Sequence, residues 1–257
     1  MIQPLSHFRY DTGSASDTGL VRGHNEDSLL SLPAAGVWMV ADGMGGHDAG
    51  DVAAAIIAEE IESVGIAVST QDQRARVSER LGRAHHRITA HSREMGLATV
   101  GATVAVLLIF ETGFACLWAG DSRIYLLRAG RLSRLTTDHS EVQELIDAGR
   151  LTAEQARHWP RRNVITRAIG IHDGPHIETV TGMVMPGDVF LLCTDGLTEH
   201  LPDAELAALL AGQGAAQAAA DTLIAETLRR GARDNVTTIV LHCLPIGEAD
   251  DDAGDLP

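Results

Sequence analysis

The sequence predicts a mixed fold of strands and helices within one domain. Apolar runs of strand length end at a glycine or an aspartate, as in residues 37–42 and 188–195, and two further runs in residues 100–119 are joined by a short turn typical of a β-hairpin. Apolar residues recur at helical spacing in residues 52–64, 71–96 and 203–230. No linker divides the 257 residues, so we expect a single domain over residues 1–245.

Composition and charge narrow the range of functions. The chain is 45% hydrophobic and 21% charged, which is typical of a globular protein that can bury a sizeable core. The formal charge of −15 argues against nucleic acid or an anionic membrane as the partner, but it is compatible with bound cations. All 20 basic residues are arginine, so chemistry that needs a lysine, such as a Walker-A loop or a Schiff base, is excluded.

Several features indicate a cytoplasmic protein without a membrane segment. No apolar run approaches the roughly 20 residues that cross a bilayer, and residues 1–10 do not resemble a signal peptide. The three cysteines each lie in an apolar run, so we expect buried thiols in a reducing compartment: Cys116, Cys193 and Cys243. Residues 246–257 are acidic and lack apolar periodicity, which predicts a disordered tail.

The first candidate site residues follow a predicted strand near residues 7–12. Arg22 is a single cation among acids, and a guanidinium can hold a phosphate by two parallel hydrogen bonds. Taken alone, such a group is more commonly a surface salt bridge. Adjacent Glu26 and Asp27 point to opposite sides of an extended chain, so only one of them should face a given site directly.

Asp42 lies at the second candidate site. Residues 37–41 are predicted to form a buried strand that ends at Asp42, and a helix is predicted from Val52. The glycines between them permit close approaches that a side chain would block: Gly43, Gly45, Gly46 and Gly50. A strand, a carboxylate, a glycine-rich turn and a helix form a ligand-binding corner, although an Asp-Gly pair is also a common simple turn.

The middle of the chain is predicted to contain a polar helix and a hairpin. The helix lies in residues 71–96, and its histidines fit no metal-binding pattern and are expected to be solvated: His85, His86 and His91. Residues 100–110 are apolar throughout, which predicts one central strand buried on both faces. The returning strand, residues 114–119, leads directly to Asp121 beside a glycine.

The last part of the chain repeats these features. Asp138 and Ser140 are predicted to cap a helix over residues 141–148, and an irregular segment over 149–163 resembles a loop that contacts substrate. Strands are predicted at 124–127, 132–135, 177–180, 188–193 and 236–244, and helices at 203–210 and 215–230. Asp195 follows one of these strands and Asp234 precedes the last.

Four aspartates, Asp42, Asp121, Asp195 and Asp234, therefore lie at predicted strand ends. Carboxylates cannot crowd together unless cations neutralise them, and oxygen ligands favour magnesium or manganese over zinc. Two such ions about 4 Å apart lower the pKa of a shared water and clamp a displacement at phosphorus. Arg22 would then hold the phosphate.

An ordered set of motifs resembles the PPM family of metal-dependent serine/threonine protein phosphatases of type 2C, and in particular its compact bacterial members. The motifs are residues 25–28 (NEDS), 42–46 (DGMGG), 120–123 (GDSR), 138–140 (DHS), 165–170 (ITRAIG), 195–197 (DGL) and 234–235 (DN). The resemblance implies an α+β fold, a four-layer α-β-β-α sandwich of two antiparallel sheets flanked by helices. It also implies two Mn²⁺ or Mg²⁺ ions at one edge.

The resemblance assigns a role to each candidate residue. Asp42 resembles the catalytic carboxylate that bridges both metals, with the Gly43 carbonyl on the second ion, and Asp195 and Asp234 resemble ligands of the first. Asp121 resembles the aspartate that recruits a third, weaker ion, whereas Glu26 and Asp27 resemble acids that hold metal-bound waters. Arg22 resembles the catalytic, phosphate-binding arginine, and residues 149–164 correspond to a variable flap.

One residue departs from many eukaryotic relatives, which carry a proposed general acid, histidine, where this chain has Met44. A thioether cannot donate a proton. The implied function is hydrolysis of phosphoserine and phosphothreonine in proteins by a monomer that opposes a bacterial Ser/Thr kinase, or acts on its targets. Two alternatives stay open: a catalytically silent regulatory module on the same scaffold, and a metal-dependent hydrolase of small phosphoesters.

Overall fold

The computed structural model describes residues 8–45, 49–97, 99–156, 158–171, 173–212 and 214–246. The strands are β1 (Phe8–Asp17), β2 (Asp27–Leu32), β3 (Val37–Gly45), β4 (Val100–Ala102), β5 (Val104–Phe110), β6 (Gly113–Ala119), β7 (Arg123–Arg128), β8 (Arg131–Arg134), β9 (Glu178–Met183), β10 (Val189–Cys193) and β11 (Val236–Pro245). The helices are α1 (Ala49–Glu62), α2 (Thr70–Glu94), α3 (Glu141–Asp147), α4 (Ala153–Ala156), α5 (Asp195–Thr198), α6 (Asp203–Ala211) and α7 (Ala216–Arg229).

The strands form two antiparallel sheets. One sheet has the order β1-β11-β10-β7-β8, and the other has the order β2-β3-β5-β6-β9, with β4 paired to β3 beyond the end of β5. The long central strands are apolar on both faces because each is covered by the opposite sheet on one side and by helices on the other.

Three apolar clusters hold the layers together. The cluster between the sheets contains Trp38 and Phe190, both fully buried. A second cluster packs α1 and α2 on the sheet that contains β3, and a third packs α5, α6 and α7 on the sheet that contains β10. The expected four-layer sandwich of two antiparallel sheets flanked by helices is therefore confirmed.

The structure corrects two predicted strand boundaries near the candidate site. The strand predicted to end at Asp42 continues to Gly45. It pairs with β5 over residues 37–40 and then with β4 over residues 43–45. The single strand predicted over residues 100–110 is two strands, β4 and β5, interrupted at Thr103. The pattern of apolar residues did not reveal the break between β4 and β5, because residues 100–110 are apolar apart from Thr103. It therefore also missed the pairing of β4 that extends β3.

Two side chains, those of His85 and Asp138, differ from their predicted environments. His85 is buried rather than solvated, and its Nδ1 accepts a hydrogen bond from the Gly170 N–H at 3.1 Å. Ser140 caps α3 as predicted, whereas Asp138 instead accepts hydrogen bonds from Arg123 at 2.9 and 2.6 Å. Both differences depend on residues distant in sequence, which helical spacing does not report.

Other predictions concern the chain ends and the flap. Residues 246–257 were expected to form an acidic tail, and all of them except Ile246 lie outside the described residues, as do Gly46 and His47. The irregular segment includes the short helix α4. Within the described ranges, no helix is both long and apolar enough to cross a membrane. The three cysteines are buried and free, as predicted: Cys116, Cys193 and Cys243.

Candidate metal centre

Both sheets contribute to the group of candidate aspartates. Asp27 opens β2 and lies directly opposite Asp42 of β3 in the register of the first sheet, and Asp121 follows β6 of the same sheet. Asp195 begins α5 immediately after β10, and Asp234 lies two residues before β11, so these two come from the second sheet. The candidate centre is therefore at the end of the sandwich where strands of the two sheets meet.

The pKa values of these carboxyl groups are raised by burial and by one another's negative charges. Burial, and then the negative charges of Asp195 and Asp27, raise the pKa of Asp42 well above its usual range. Burial and the charge of Asp234 raise the pKa of Asp195 to about 6. Burial, and then the charge of Asp195, also raises the pKa of Asp121. Each carboxylate thus disfavours ionisation of its neighbours, as the sequence analysis expected of a crowded cluster.

Asp27 belongs to the same group. Its pKa is raised to about 7 by burial and by the charges of Asp195 and Asp234, although hydrogen bonds from two threonine hydroxyls oppose this rise. One of these bonds joins Thr194 Oγ1 to Asp27 Oδ2 at 2.9 Å. Thr194 lies between β10 of the second sheet and α5. Its hydrogen bond to Asp27, at the start of β2, therefore connects the two sheets within the cluster.

Unpaired oxygens indicate that the cluster is suited to a cation. The Oδ1 atoms of Asp27, Asp121 and Asp195 are buried, and none of them has a hydrogen-bond partner among the residues that the structure describes. A buried carboxylate oxygen without a partner is costly, and a divalent cation would satisfy it. Across the described ranges, no three His, Cys, Asp or Glu side chains are arranged to hold an ion by themselves. Magnesium usually keeps several waters and needs only one or two carboxylates, so the donor set fits such an ion.

Glu26 and Gly43 join this cluster to α1. The Glu26 carbonyl accepts a hydrogen bond from the Gly43 N–H at 3.1 Å, and a Cβ at Gly50 would lie 2.7 Å from Glu26 Oε1. The Glu26 carboxylate therefore lies against the first turn of α1, where the helix dipole favours negative charge. A Cβ at Gly43 would lie 2.0 Å from the Gly50 carbonyl oxygen, so only glycine permits this approach of β3 to the helix.

Arg22 lies at the edge of the cluster. Its Nη2 donates a hydrogen bond to Asp234 Oδ2 at 2.7 Å, and its side chain is 53% exposed. This bond to Asp234 raises the pKa of Arg22. A guanidinium carries five N–H donors, so the bond to Asp234 leaves donors for two oxygens of a phosphate.

Asn235 has a structural role in the site for which the sequence predicted no function beyond membership of the 234–235 (DN) motif. Its Oδ1 accepts from the Glu26 N–H at 2.8 Å, and its Nδ2 donates to the carbonyls of Thr18 and His24 at 2.9 and 2.8 Å. One buried amide therefore fixes the segment that carries Arg22 beside Asp234. The sequence signals for Asn235 are this motif and its place before an apolar strand, and neither identifies its partners.

The comparisons with known proteins place the chain in one class, the serine/threonine protein phosphatases. The protein phosphatase 2C family model matches residues 7–236. The serine/threonine phosphatase stp of Listeria innocua is 30% identical over 235 residues, which cover 88% of this chain and 93% of that protein.

Two solved structures agree with this class. PppA, described as a key regulatory component of T6SS in Pseudomonas aeruginosa, has a TM-score of 0.85 and 37% identity, covering 91% of this chain and 98% of that one. The catalytic domain of the serine/threonine protein phosphatase PstP, in complex with two manganese ions, has a TM-score of 0.82 and 32% identity, covering 91% and 98% of the two chains. The chain belongs to the protein phosphatase 2C (PPM) family, and it is a serine/threonine protein phosphatase that acts on phosphoproteins.

Proposed function

We propose that the chain hydrolyses phosphoserine and phosphothreonine in proteins at a dinuclear Mn²⁺ or Mg²⁺ centre. Asp42 would bridge the two ions, with Asp195 and Asp234 on the first and the Gly43 carbonyl on the second. Asp121 would hold a third, weaker ion, and Glu26 and Asp27 would hold waters of the centre. The supporting observation is the convergence of half-buried carboxylates from both sheets, three of which have a buried oxygen without a hydrogen-bond partner among the described residues.

The ions would neutralise the developing charge on phosphorus and lower the pKa of an attacking water. The chain supplies the remaining functions. Arg22 binds two phosphate oxygens and orients the ester, since its guanidinium is exposed and is held beside Asp234. The partial burial of Asp42 and Asp195 limits the access of bulk water to the carboxylates and would strengthen their interaction with cations.

The leaving group is protonated by solvent in this proposal. Met44 occupies the position where many eukaryotic relatives carry a histidine, and its thioether has no proton to give. Met44 lies in β3 opposite Gly101 of β4 and is partly buried. Activity should therefore lack the steep loss at high pH that deprotonation of a histidine acid would produce.

The biological setting follows from the same reaction. We propose one catalytic domain over residues 1–245 with a flap near 149–164, acting as a monomer that opposes a Ser/Thr kinase or acts on its targets. A reducing compartment such as the cytoplasm suits the three buried free thiols: Cys116, Cys193 and Cys243.

An assay of the purified full-length chain tests the reaction. Phosphothreonine peptides and a small aryl phosphate would be offered with Mn²⁺, with Mg²⁺, and after exhaustive chelation. We expect turnover of the peptides that needs added metal and a kcat/KM higher than that of the aryl phosphate. Metal-independent turnover would contradict the centre, turnover of the aryl phosphate alone would favour a small-phosphoester hydrolase, and no turnover would favour a silent regulatory module.

A further inference from the structure

Thr103 makes two hydrogen bonds to the backbone of Asp42. It lies in the interruption between β4 and β5, in the interval where β3 changes its pairing from one strand to the other. The Asp42 N–H donates to Thr103 Oγ1 at 3.1 Å, and the Thr103 N–H donates to the Asp42 carbonyl at 2.8 Å. Both peptide groups of Asp42 are thus held by one fully buried residue.

The Thr103 hydroxyl also forms a hydrogen bond with the segment that carries Asp121. Thr103 Oγ1 lies 2.7 Å from Ser122 Oγ, and both side chains are buried. A threonine hydroxyl has one proton and two lone pairs, so it can accept from the Asp42 N–H and still form the bond to Ser122. The contact needs a glycine at position 120, because a Cβ there would lie 2.5 Å from the Thr103 Cβ and the backbone has φ +114°.

These contacts place Thr103 between two candidate metal ligands. Asp42 lies in β3, and Asp121 follows β6 some 79 residues later, so no local feature fixes the distance between them. Small displacements of ligands are enough to weaken an ion site, and the groups that hold the ligands in place contribute to metal affinity.

We propose that the Thr103 hydroxyl is a positioning group, which fixes the backbone of Asp42 relative to Asp121 and so sets the affinity of the centre for metal. This inference rests on the proposed function for the presence of the centre. It goes beyond that function because Thr103 touches neither ion nor substrate and acts through the two aspartates.

The test replaces Thr103 by valine, which keeps the branched shape and removes the hydroxyl. Binding of Mn²⁺ to the chelator-treated full chain would be measured by isothermal titration calorimetry. We expect Thr103→Val to lower the affinity of at least one ion about tenfold, the size of effect measured when groups that support a ligand are removed. At saturating Mn²⁺, kcat on a phosphothreonine peptide should fall while KM stays within about twofold, because the phosphate contact of Arg22 is untouched.

Two further substitutions separate positioning from general stability. Thr103→Ser retains the hydroxyl and should restore most of the Mn²⁺ affinity. Thr238→Val is the matched control, because Thr238 is also a fully buried strand threonine but its Oγ1 has no hydrogen-bond partner. This control should bind Mn²⁺ as the wild type does.

The result that would overturn the proposal is wild-type Mn²⁺ affinity in Thr103→Val, even if its melting temperature falls. An equal loss of affinity in Thr238→Val would also overturn it. Should Thr103→Val fail to fold, Ser122→Ala removes only the second bond and should still lower Mn²⁺ affinity severalfold, and wild-type affinity there would be equally contrary. If the wild-type chain bound no Mn²⁺ at all, the centre itself would be wrong, which is a distinguishable failure.

Discussion

At the scale of single residues, Asp42 combines the strongest constraints in the site. It is half-buried, it lies opposite Asp27, and desolvation and the charges of four other aspartates raise its pKa. A residue in this position cannot be stabilising in the metal-free protein, because like charges in a buried cluster oppose each other. This environment supports the prediction that Asp42 binds a cation rather than stabilises the fold.

Asp42→Asn tests this directly. The substitution keeps the shape of the side chain and removes the negative charge that two ions would share, so turnover of a phosphopeptide should fall by several orders of magnitude. The metal-free variant should melt at the same temperature as the wild type or higher, because one charge of the cluster is gone. Turnover near that of the wild type would contradict the bridging role of Asp42.

Arg22 should act on substrate binding rather than on metal binding. Arg22→Ala should raise KM for a phosphothreonine peptide about tenfold or more while kcat falls less, since the phosphate contact exists in both the ground and the transition state. Arg22→Lys should recover part of this loss, because an ammonium keeps the charge but not the two-pronged geometry. Mn²⁺ affinity is the control measurement. If it collapsed while KM stayed constant, Arg22 would be a structural partner of Asp234 instead.

At the scale of elements, the segment between β1 and β2 is held by a residue at the other end of the chain. Asn235 makes three hydrogen bonds to this segment, and Gly19 approaches the Asp234 carbonyl so closely that a Cβ would lie 2.3 Å from it. The positive φ of +78° at Gly19 is a second reason for glycine. The position of this segment between the two sheets thus depends on contacts between residues from opposite ends of the sequence.

Asn235→Ala should loosen this connection. It removes the amide that bonds to the Glu26 N–H and to the carbonyls of Thr18 and His24, and each partly buried hydrogen bond of this kind contributes about 0.5–1.5 kcal/mol. We expect a melting temperature several degrees lower and a higher KM for phosphopeptide, because Arg22 is carried by the freed segment. Asn163→Ala is the control, since Asn163 is exposed and makes a single bond to Glu199 at 3.2 Å. Equal melting temperatures for the two variants would argue against this role of Asn235.

At the scale of the whole molecule, the two sheets bring together carboxylates that oppose folding while they are ionised and not neutralised. The pKa values of Asp195, about 6, and Asp27, about 7, exceed the ordinary aspartate pKa of 3.8, which applies in the unfolded chain. Groups with a raised pKa in the folded state stabilise it when protonated. Their contribution is fully present below pH 3.8 and is lost as pH rises through about 6 and 7.

The metal-free protein should therefore lose stability between pH 5 and pH 8. A loss of about 1 kcal/mol lowers the melting temperature of a domain of this size by about 2–4 °C. Saturating Mn²⁺ should reverse the trend, since a ligand at 100 times its dissociation constant adds about 2.7 kcal/mol. Thermal melting of the Asp27→Asn and Asp195→Asn double variant should show a flatter pH profile. A metal-free wild type that became more stable from pH 5 to pH 8 would contradict this account.

The sequence alone determined the elements and the chemistry of the site. Periodicity located α2, α6, α7 and most strands to within a few residues, because a helix or a strand records its buried face locally. The aspartates were recognisable because each interrupts an apolar run, and the absence of lysine excluded whole mechanisms. The assignments of Asp42, Asp195 and Asp234 as metal ligands, and of Arg22 as the phosphate ligand, stay predictions.

Only the tertiary structure decided which polar side chains hold those aspartates in place. Asn235 binds backbone more than 200 residues away, and Thr103 binds Asp42 across 61 residues. Nothing in local spacing identifies such pairs, since a buried threonine or asparagine in an apolar strand looks the same whether it has a partner or not. His85 was misjudged for the same reason. Its hydrogen bond to Gly170 exists only because the chain returns to α2 some 85 residues later.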